Sequence, residues 1–502
     1  MRKALNVKQI SFSDPKTWLL LFAFLYMGAF LLSSFIRIFY PYQLTWMEGA
    51  MVDHIRWLLA GNTLYGPPAI EFTPYIYAPF YYYFCGIFMK IFGGGFLVPR
   101  LVSFISALLL LVLVWRLIKF ETRSRFYAFI GVGFAAAFYP LTRCYFDMAR
   151  VDSFFIFLLF LGIYIMRTAK TSRGIYLSAF VFFLALFTKQ QALPVIAAVG
   201  IYLFFENFKS CIKFVSTFSL LTILAIFLFQ WTSKGWFLFY VYQLPRAHGF
   251  LKKFATLIIQ DLFLSVPVLL IFVPYMFFKR FKNKENSLLQ KKSRYNIYLA
   301  FFIGALATSW ASRAHAGGTE NVLLPVLLST ALLGTTAFWH IELDIKKTGH
   351  IGMGFLFFLI ALQLLLLVYN PVDYWPRKGH HLANEKFINL IKGFKGKVFI
   401  PSMGYIPSMA GKETFAHKTA IYDIMRAKGS GFDKIKENLR RIFQKAIREK
   451  MFQAIILRKD SFYLQKMKKY YRLKSRFVVS PSLYVHGYKS HHLDLDVYVP
   501  TQ

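Results

Sequence analysis

Long apolar runs punctuate the first 370 residues, and no other feature constrains the fold of this chain more. They fall at about 17–38, 97–118, 126–142, 152–166, 174–188, 191–205, 214–230, 261–278, 296–311, 321–339 and 350–369. Each is about 15–22 residues long; a helix needs roughly 20 apolar residues to cross the bilayer core, and fewer where it ends at a wet cavity. A soluble core has no use for so many, so the sequence predicts a polytopic membrane protein. The first run is too long for a signal-peptide core and lacks a small-residue cleavage site, which makes it an anchor. The three cysteines (Cys85, Cys144, Cys211) lie in or beside apolar stretches and make neither a disulfide framework nor a zinc pattern.

The net charge of +37 sits largely in short loops between these runs. It therefore reads as a topology signal with affinity for anionic membrane lipid, not as a nucleic-acid surface. A twelfth stretch, 75–93, is crowded with Tyr75, Tyr77, Pro79, Tyr81, Tyr82 and Tyr83 and suits an interfacial helix. With that stretch in the interface and Arg2, Lys3 and Lys8 inside, the loops with Lys119, Arg123 and Arg125, with Arg167, Lys170 and Arg173, and with Lys209 and Lys213 all fall inside, as does the basic run 279–294. Letting 75–93 cross moves every one of these later loops outside. Reading 174–205 as one span puts the 279–294 cluster outside. Eleven spans is therefore the preferred count, with the tail after 370 outside.

Basic loops alone fix that topology, yet it gathers the other polar residues on the outer face. The first outer segment, 39–96, carries Glu48, Asp53, His54, Arg56 and Glu71. The loop 143–152 carries Arg143, Asp147, Arg150 and Asp152. Lys189, Gln190 and Gln191 occupy the tip of a helix pair; Arg246 and His248 lie in 231–260; Arg313, His315, Gly317, Gly318 and Asn321 lie in 312–321. Ionisable groups beside apolar spans are costly, so several on one face imply a shared wet cavity. Carboxylates there can deprotonate a hydroxyl or hold a metal, and cations can bind a phosphate as it leaves. Tyrosines such as Tyr77, Tyr81 and Tyr82 suit sugar rings and headgroup depth.

Trp46-Met47-Glu48-Gly49-Ala50, Leu59-Ala60-Gly61-Asn62-Thr63-Leu64-Tyr65, Tyr77-Ala78-Pro79-Phe80-Tyr81-Tyr82 and Arg100-Leu101-Val102-Ser103 resemble the first outer loop of GT-C membrane glycosyltransferases. The bacterial relatives of lipid A aminoarabinose transferase and of protein O-mannosyltransferases are the nearest in pattern. Ala149-Arg150-Val151-Asp152 resembles their second acidic loop, and segments around Lys189 and from Ser312 to Pro325 resemble uncharacterised members. The resemblance covers about 40–330. It implies a GT-C fold, a polyprenyl-phosphate-sugar donor, inversion at the anomeric carbon, and a lipid, glycan or protein acceptor outside a bacterial cytoplasmic membrane. One departure stands out: relatives often carry Asp-Glu where this chain has Met47-Glu48.

On this reading Glu48, or Asp53 in its stead, activates the acceptor; Lys189, Arg313 and His315 hold the donor phosphate; and Tyr77, Tyr81, Tyr82 and Asn321 contact substrate. Asp152 organises the site, through the acceptor or through a divalent metal such as Mg or Mn; no other cofactor is called for. The bland readings are an N-cap for Asp152, a solvated loop acid for Glu48, a snorkelling Lys189 and an interfacial belt for the tyrosines. The predicted architecture is an all-α membrane domain (1–370) followed by a small α/β domain (371–502) outside the membrane. The tail reads as helix 382–394, strand 397–402, helix 432–449, strand 451–457, helix 460–471, and strands near 475–487 and 494–500. A lipid transporter or flippase is the main rival, although no paired repeats stand out; a non-catalytic scaffold is the other.

Overall fold

The computed structural model describes residues 13–282, 296–348, 352–458, 467–479, 483–485 and 493–501. Among the described residues, a helix occupies most of every predicted span, although Arg125–Ala137 and Met353–Leu365 end short of the runs that predict them. Asp14 opens the first, Pro15–Ile38, by accepting the Lys16 N–H (2.9 Å), with Pro15 at the first helical position where its missing N–H costs nothing. Asn207 caps Phe208–Thr232 in the same way, at the Ser210 N–H. Among the described residues, six helices are long and apolar enough to cross a membrane, seven if one bent pair counts as a single span. Arg125–Ala137, Ser172–Thr188, Gln190–Glu206 and Met353–Leu365 are shorter apolar helices. The chain is thus a multi-pass membrane protein.

The predicted span 261–278 differs. It is two helices, Lys252–Ser265 and Pro267–Lys282, meeting at 102°. Pro267 cannot continue the first helix, and the buried Gln363 satisfies the broken backbone: it accepts the Val268 N–H and donates to the Ser265 carbonyl, both at 3.0 Å. The stretch 75–93 forms the helix Phe80–Phe92, with Tyr81, Tyr82 and Cys85 buried on one face and Ile87, Ile91 and Phe92 exposed on the other.

Leu97–Thr122 packs on Arg125–Ala137 and Val151–Thr168, and Leu324–Thr348 packs on Pro267–Lys282 and Asn296–Ala314. The helix region 320–347 is almost wholly buried along its most apolar stretch, whereas Phe208–Thr232 is almost wholly exposed along its own and turns Ile223, Leu224, Phe227 and Trp231 outward. Close crossings need small residues: a Cβ on Gly304 would lie 2.6 Å from Val195 Cα.

The loops sort to two ends. Arg167 pairs with Glu121 (2.7 Å), Tyr298 donates to Glu121 (2.7 Å) and Lys213 donates to Ser172 (2.6 Å), so the basic loops meet at one end. The acidic loops and 189–191 meet at the other. Arg2, Lys3, Lys8 and the basic run from 283 onward lie outside the described residues.

The tail forms a four-stranded sheet in the order β1-β2-β4-β3, with β1 Val398–Phe399, β2 Ala454–Arg458, β3 Tyr471–Val479 and β4 Leu493–Pro500. β1 and β2 are parallel, and the other pairs are antiparallel. Helix Asp433–Arg448 connects β1 to β2 across the sheet, burying Leu439, Phe443, Ala446 and Ile447. The predicted helix 460–471 falls partly outside the described residues, and Tyr471 instead opens β3.

Candidate active site

A cavity of about 790 Å³ lies at the end of the bundle that gathers the acidic loops. Its walls come from the first outer loop (Trp46, Met47, Tyr75, Tyr77), the second (Arg143, Tyr145, Arg150), the tip of the helix pair (Lys189, Gln190), the loop 312–321 (His315, Gly317, Gly318, Asn321) and the tail (Lys418, Tyr422, Asp423, Arg426, Arg458).

Glu48 does not line it. The carboxylate is fully buried behind the wall, where Arg100 grips it with Nε to Oε1 (3.0 Å) and Nη2 to Oε2 (2.7 Å). The Ala149 and Leu44 N–H groups donate to the same oxygens at 2.7 and 2.6 Å. Burial alone would raise its pKa, but Arg100 and the two N–H groups bring it below the usual carboxylate value. With four donors on two oxygens, Glu48 ties the first loop to the second and to Leu97–Thr122. The neighbouring Met47 faces the cavity instead.

Asp53 is also outside the lining. It accepts the Tyr405 N–H (2.7 Å), and burial raises its carboxyl to about 7. Asp147, buried, is paired with Arg37 (2.8 Å) and accepts from Tyr139 (2.7 Å).

Asp152, on the first turn of Val151–Thr168, organises the membrane-side wall. Its Oδ1 accepts from Lys189 Nζ and Asn321 Nδ2, each at 2.8 Å, and Arg150 Nε stands 3.5 Å from Oδ2. Arg150 Nη2 goes on to the Tyr77 hydroxyl at 2.9 Å. Lys189, Arg150, Asn321 and Tyr77 all line the cavity and are all positioned through this one carboxylate. The set does not fit a divalent metal: two cations and an amide N–H already occupy Asp152, and no group of three His, Cys, Asp or Glu suited to a metal occurs among the described residues.

The loop 312–321 divides its residues. Arg313 points away from the cavity, pairing with Asp261 (2.9 Å) and donating to the Gly318 carbonyl (3.0 Å), which fixes the loop rather than a ligand. His315 lines the cavity but donates Nε2–H to the Pro245 carbonyl (3.2 Å). Burial, with Arg426 nearby, lowers its pKa. Tyr81 and Tyr82 are likewise interior residues. Tyr81 donates to the Pro99 carbonyl (3.2 Å), and Tyr82 stacks on His54; only Tyr77 of the three reaches the cavity.

The tail is a wall of the site. Gly49 and Gly404 touch so closely that a Cβ on Gly49 would lie 1.9 Å from the Gly404 carbonyl oxygen. The Ala416 N–H donates to the Ile70 carbonyl and the Lys428 N–H to the Ala247 carbonyl, both at 2.8 Å. Tyr75 donates to His417 Nδ1 (2.9 Å), on which Trp46 stacks. Lys418, Asp423, Arg426 and Arg458 were missed as site residues in the sequence. A signal was present: in helix Lys418–Met425, Asp423 falls on the stripe of Ala420, Ile421 and Ile424, where an acid has no place in a purely solvated helix.

The fold is that of GT-C membrane glycosyltransferases. ArnT from Cupriavidus metallidurans bound to undecaprenyl phosphate superposes with a TM-score of 0.52 at 12% identity, over 95% of this chain and 98% of that one. Its apo state gives 0.55 at 11% identity, over 95% and 97%. The archaeal oligosaccharyltransferase AglB from Archaeoglobus fulgidus, in complex with an inhibitory peptide and a dolichol-phosphate, gives 0.50 at 12%, over 87% and 69%. Residues 76–236 match the family described as dolichyl-phosphate-mannose-protein mannosyltransferase. No curated protein matches the chain in sequence. The family resemblance read from the sequence is thereby shown, with the matched segment beginning after the Trp46–Ala50 and Leu59–Tyr65 motifs.

Proposed function

We propose that this chain is a glycosyltransferase that moves a sugar from a polyprenyl-phosphate donor to an acceptor on the outer face of a bacterial cytoplasmic membrane, with inversion. The observation that carries this reading is the charge of the cavity. Among the described residues, six cations (Arg143, Arg150, Lys189, Lys418, Arg426, Arg458) line it against one carboxylate, with tyrosines between them. A lipid phosphodiester gains negative charge as its sugar departs, and cations held rigidly beside it stabilise that change. Lys189 and Arg150 take the donor phosphate, Tyr77 and Asn321 contact the transferred hexosyl or pentosyl group, and Asp152 positions all four. Glu48 and Arg313 hold the two outer loops in place. Residues 1–370 form the transferase domain, and 371–502 close the cavity over the reacting groups. No step requires a metal.

The test uses the full chain in detergent with radiolabelled polyprenyl-phosphate sugars and a membrane extract containing lipid, glycan and protein acceptors. Label transferred by wild type and lost in folded Lys189→Gln supports the reading and names the donor. Translocation of an intact lipid across vesicles carrying the full chain, without transfer, establishes the flippase instead.

A further inference from the structure

The first outer loop supplies no proton acceptor to the cavity. Met47 stands in the lining with a thioether, and Glu48 is spent on four hydrogen bonds behind it. Asp152 faces two cations and lies outside the lining. Among the described residues that line the cavity, the one carboxylate is Asp423, carried by the tail.

We propose that Asp423 is the general base of the transfer reaction. The inference rests on the glycosyltransferase reading above. Asp423 is built into its place: His248 donates Nε2–H to its backbone carbonyl (2.8 Å), and Arg426 Nη2 holds its Oδ1 (2.5 Å). Arg426 in turn reaches past Gly317, where a Cβ would lie 3.2 Å from Nη1 and where φ is +98°. Across the cavity, Asp423 is near enough for its charge to bear on the Tyr75 and Tyr77 hydroxyls, and Tyr77 accepts from Arg150. Asp423 thus lines the same cavity as Arg150 and Lys189, which are assigned to the donor phosphate.

In the reaction, the acceptor oxygen bonds to the anomeric carbon while the bond from that carbon to the phosphate oxygen breaks. The electron pair of that bond leaves with polyprenyl phosphate. The hydroxyl proton passes to Asp423 and later to water. Burial lifts the carboxyl to about 7 against the pull of Arg426, so it is basic enough to take a proton near neutrality. The other titratable or charged groups around the cavity beside it are His248, His315, Lys418, Arg150, Arg458, Tyr75 and Tyr77; burial lowers the pKa of both histidines.

The experiment compares wild type, Asp423→Asn and Asp423→Glu in the full chain, measuring donor transfer from pH 5.5 to 8 and, separately, binding of polyprenyl phosphate. Asp423→Asn is expected to slow transfer by about 100-fold or more with polyprenyl phosphate binding unchanged, and Asp423→Glu to recover part of it. Wild-type turnover should rise about tenfold per pH unit below about 7 and level off above it. Transfer by Asp423→Asn within threefold of wild type overturns the proposal. If that variant does not fold, a wild-type profile flat across the range overturns it instead. Wild type that neither binds polyprenyl phosphate nor transfers sugar removes the glycosyltransferase reading itself, and this base with it.

Discussion

Replacing Glu48 by Gln separates an anchor from a catalyst. The substitution keeps the shape and removes the charge. An amide has one accepting oxygen, so its NH2 must face either the Leu44 or the Ala149 N–H, and one buried donor pair is lost. Arg100 also loses its counter-charge at a fully buried position, keeping one bond to the amide oxygen and those to the Arg37, Tyr40 and Tyr42 carbonyls. Breaking one side of a buried ion pair costs about 3–5 kcal/mol. A melting midpoint lower by roughly 5 °C or more is therefore expected. A thiol-reactive fluorophore reads this directly, because Cys85, Cys144 and Cys211 are all free and buried and become reactive only on unfolding. Arg100→Met alone should be similarly damaging, but the double variant should be more stable than the sum predicts by about 2 kcal/mol, since no charge is then left unpaired. The folded Glu48 carboxyl lies below its ordinary value of 4.5, so the anchor is fully present above that pH and is lost as pH falls through the folded value. If Glu48→Gln melts like wild type yet transfers no sugar, the carboxylate is chemical and the anchor argument is wrong.

Three further outcomes follow from the geometry. Lys189→Gln should weaken polyprenyl phosphate binding by about 10-fold or more, a charge-assisted hydrogen bond being worth about 1.5–3 kcal/mol; isothermal titration in detergent measures it. Gly49→Ala should loosen the tail from the first loop, because its Cβ would overlap the Gly404 carbonyl; faster limited proteolysis of the tail, with the membrane helices intact, is the readout. Acid should destabilise the same junction through His54 and His417, whose values burial depresses to about 4 and about 3. Both are neutral when folded, so the unfolded chain takes up protons first as pH drops below the ordinary 6.5. Stability is full above 6.5 and falls by about 1.4 kcal/mol per histidine per pH unit below it. Melting at pH 7.5 and 5.5 tests this, and His417→Gln should flatten the slope.

The membrane helices were legible because each is one continuous apolar run, and a run is a local property. Their sorting into two ends was legible because basic loops alternate with acidic ones. The bend at Val266 was not: Pro267 gave a warning, but the group that makes a sharp break tolerable is Gln363, about a hundred residues away. Three of the tail's strands fall within a few residues of their predicted places, while the third in chain order, predicted near 475–487, runs over Tyr471–Val479. The tail's docking onto the first loop was not legible, because Gly49 against Gly404 and Tyr75 against His417 are contacts between positions that carry no mutual signal in one sequence.

The site divides along the same line. Asp152 and Lys189 stood out as polar residues at the tips of apolar helices, and the structure brings them together at 2.8 Å. Glu48 stood out just as strongly, yet at the start of a helix consecutive side chains diverge by about 100°. Met47 therefore faces the cavity while Glu48 faces Arg100. No pattern in the first loop distinguishes these two directions, since the distinction is made by Arg100, four residues into another helix. An acid that looks catalytic by type and place can thus be the buried half of an ion pair. The cavity then depends on whichever carboxylate the rest of the chain brings to it, and here that carboxylate arrives from a helix 375 positions further on, Asp423 against Glu48.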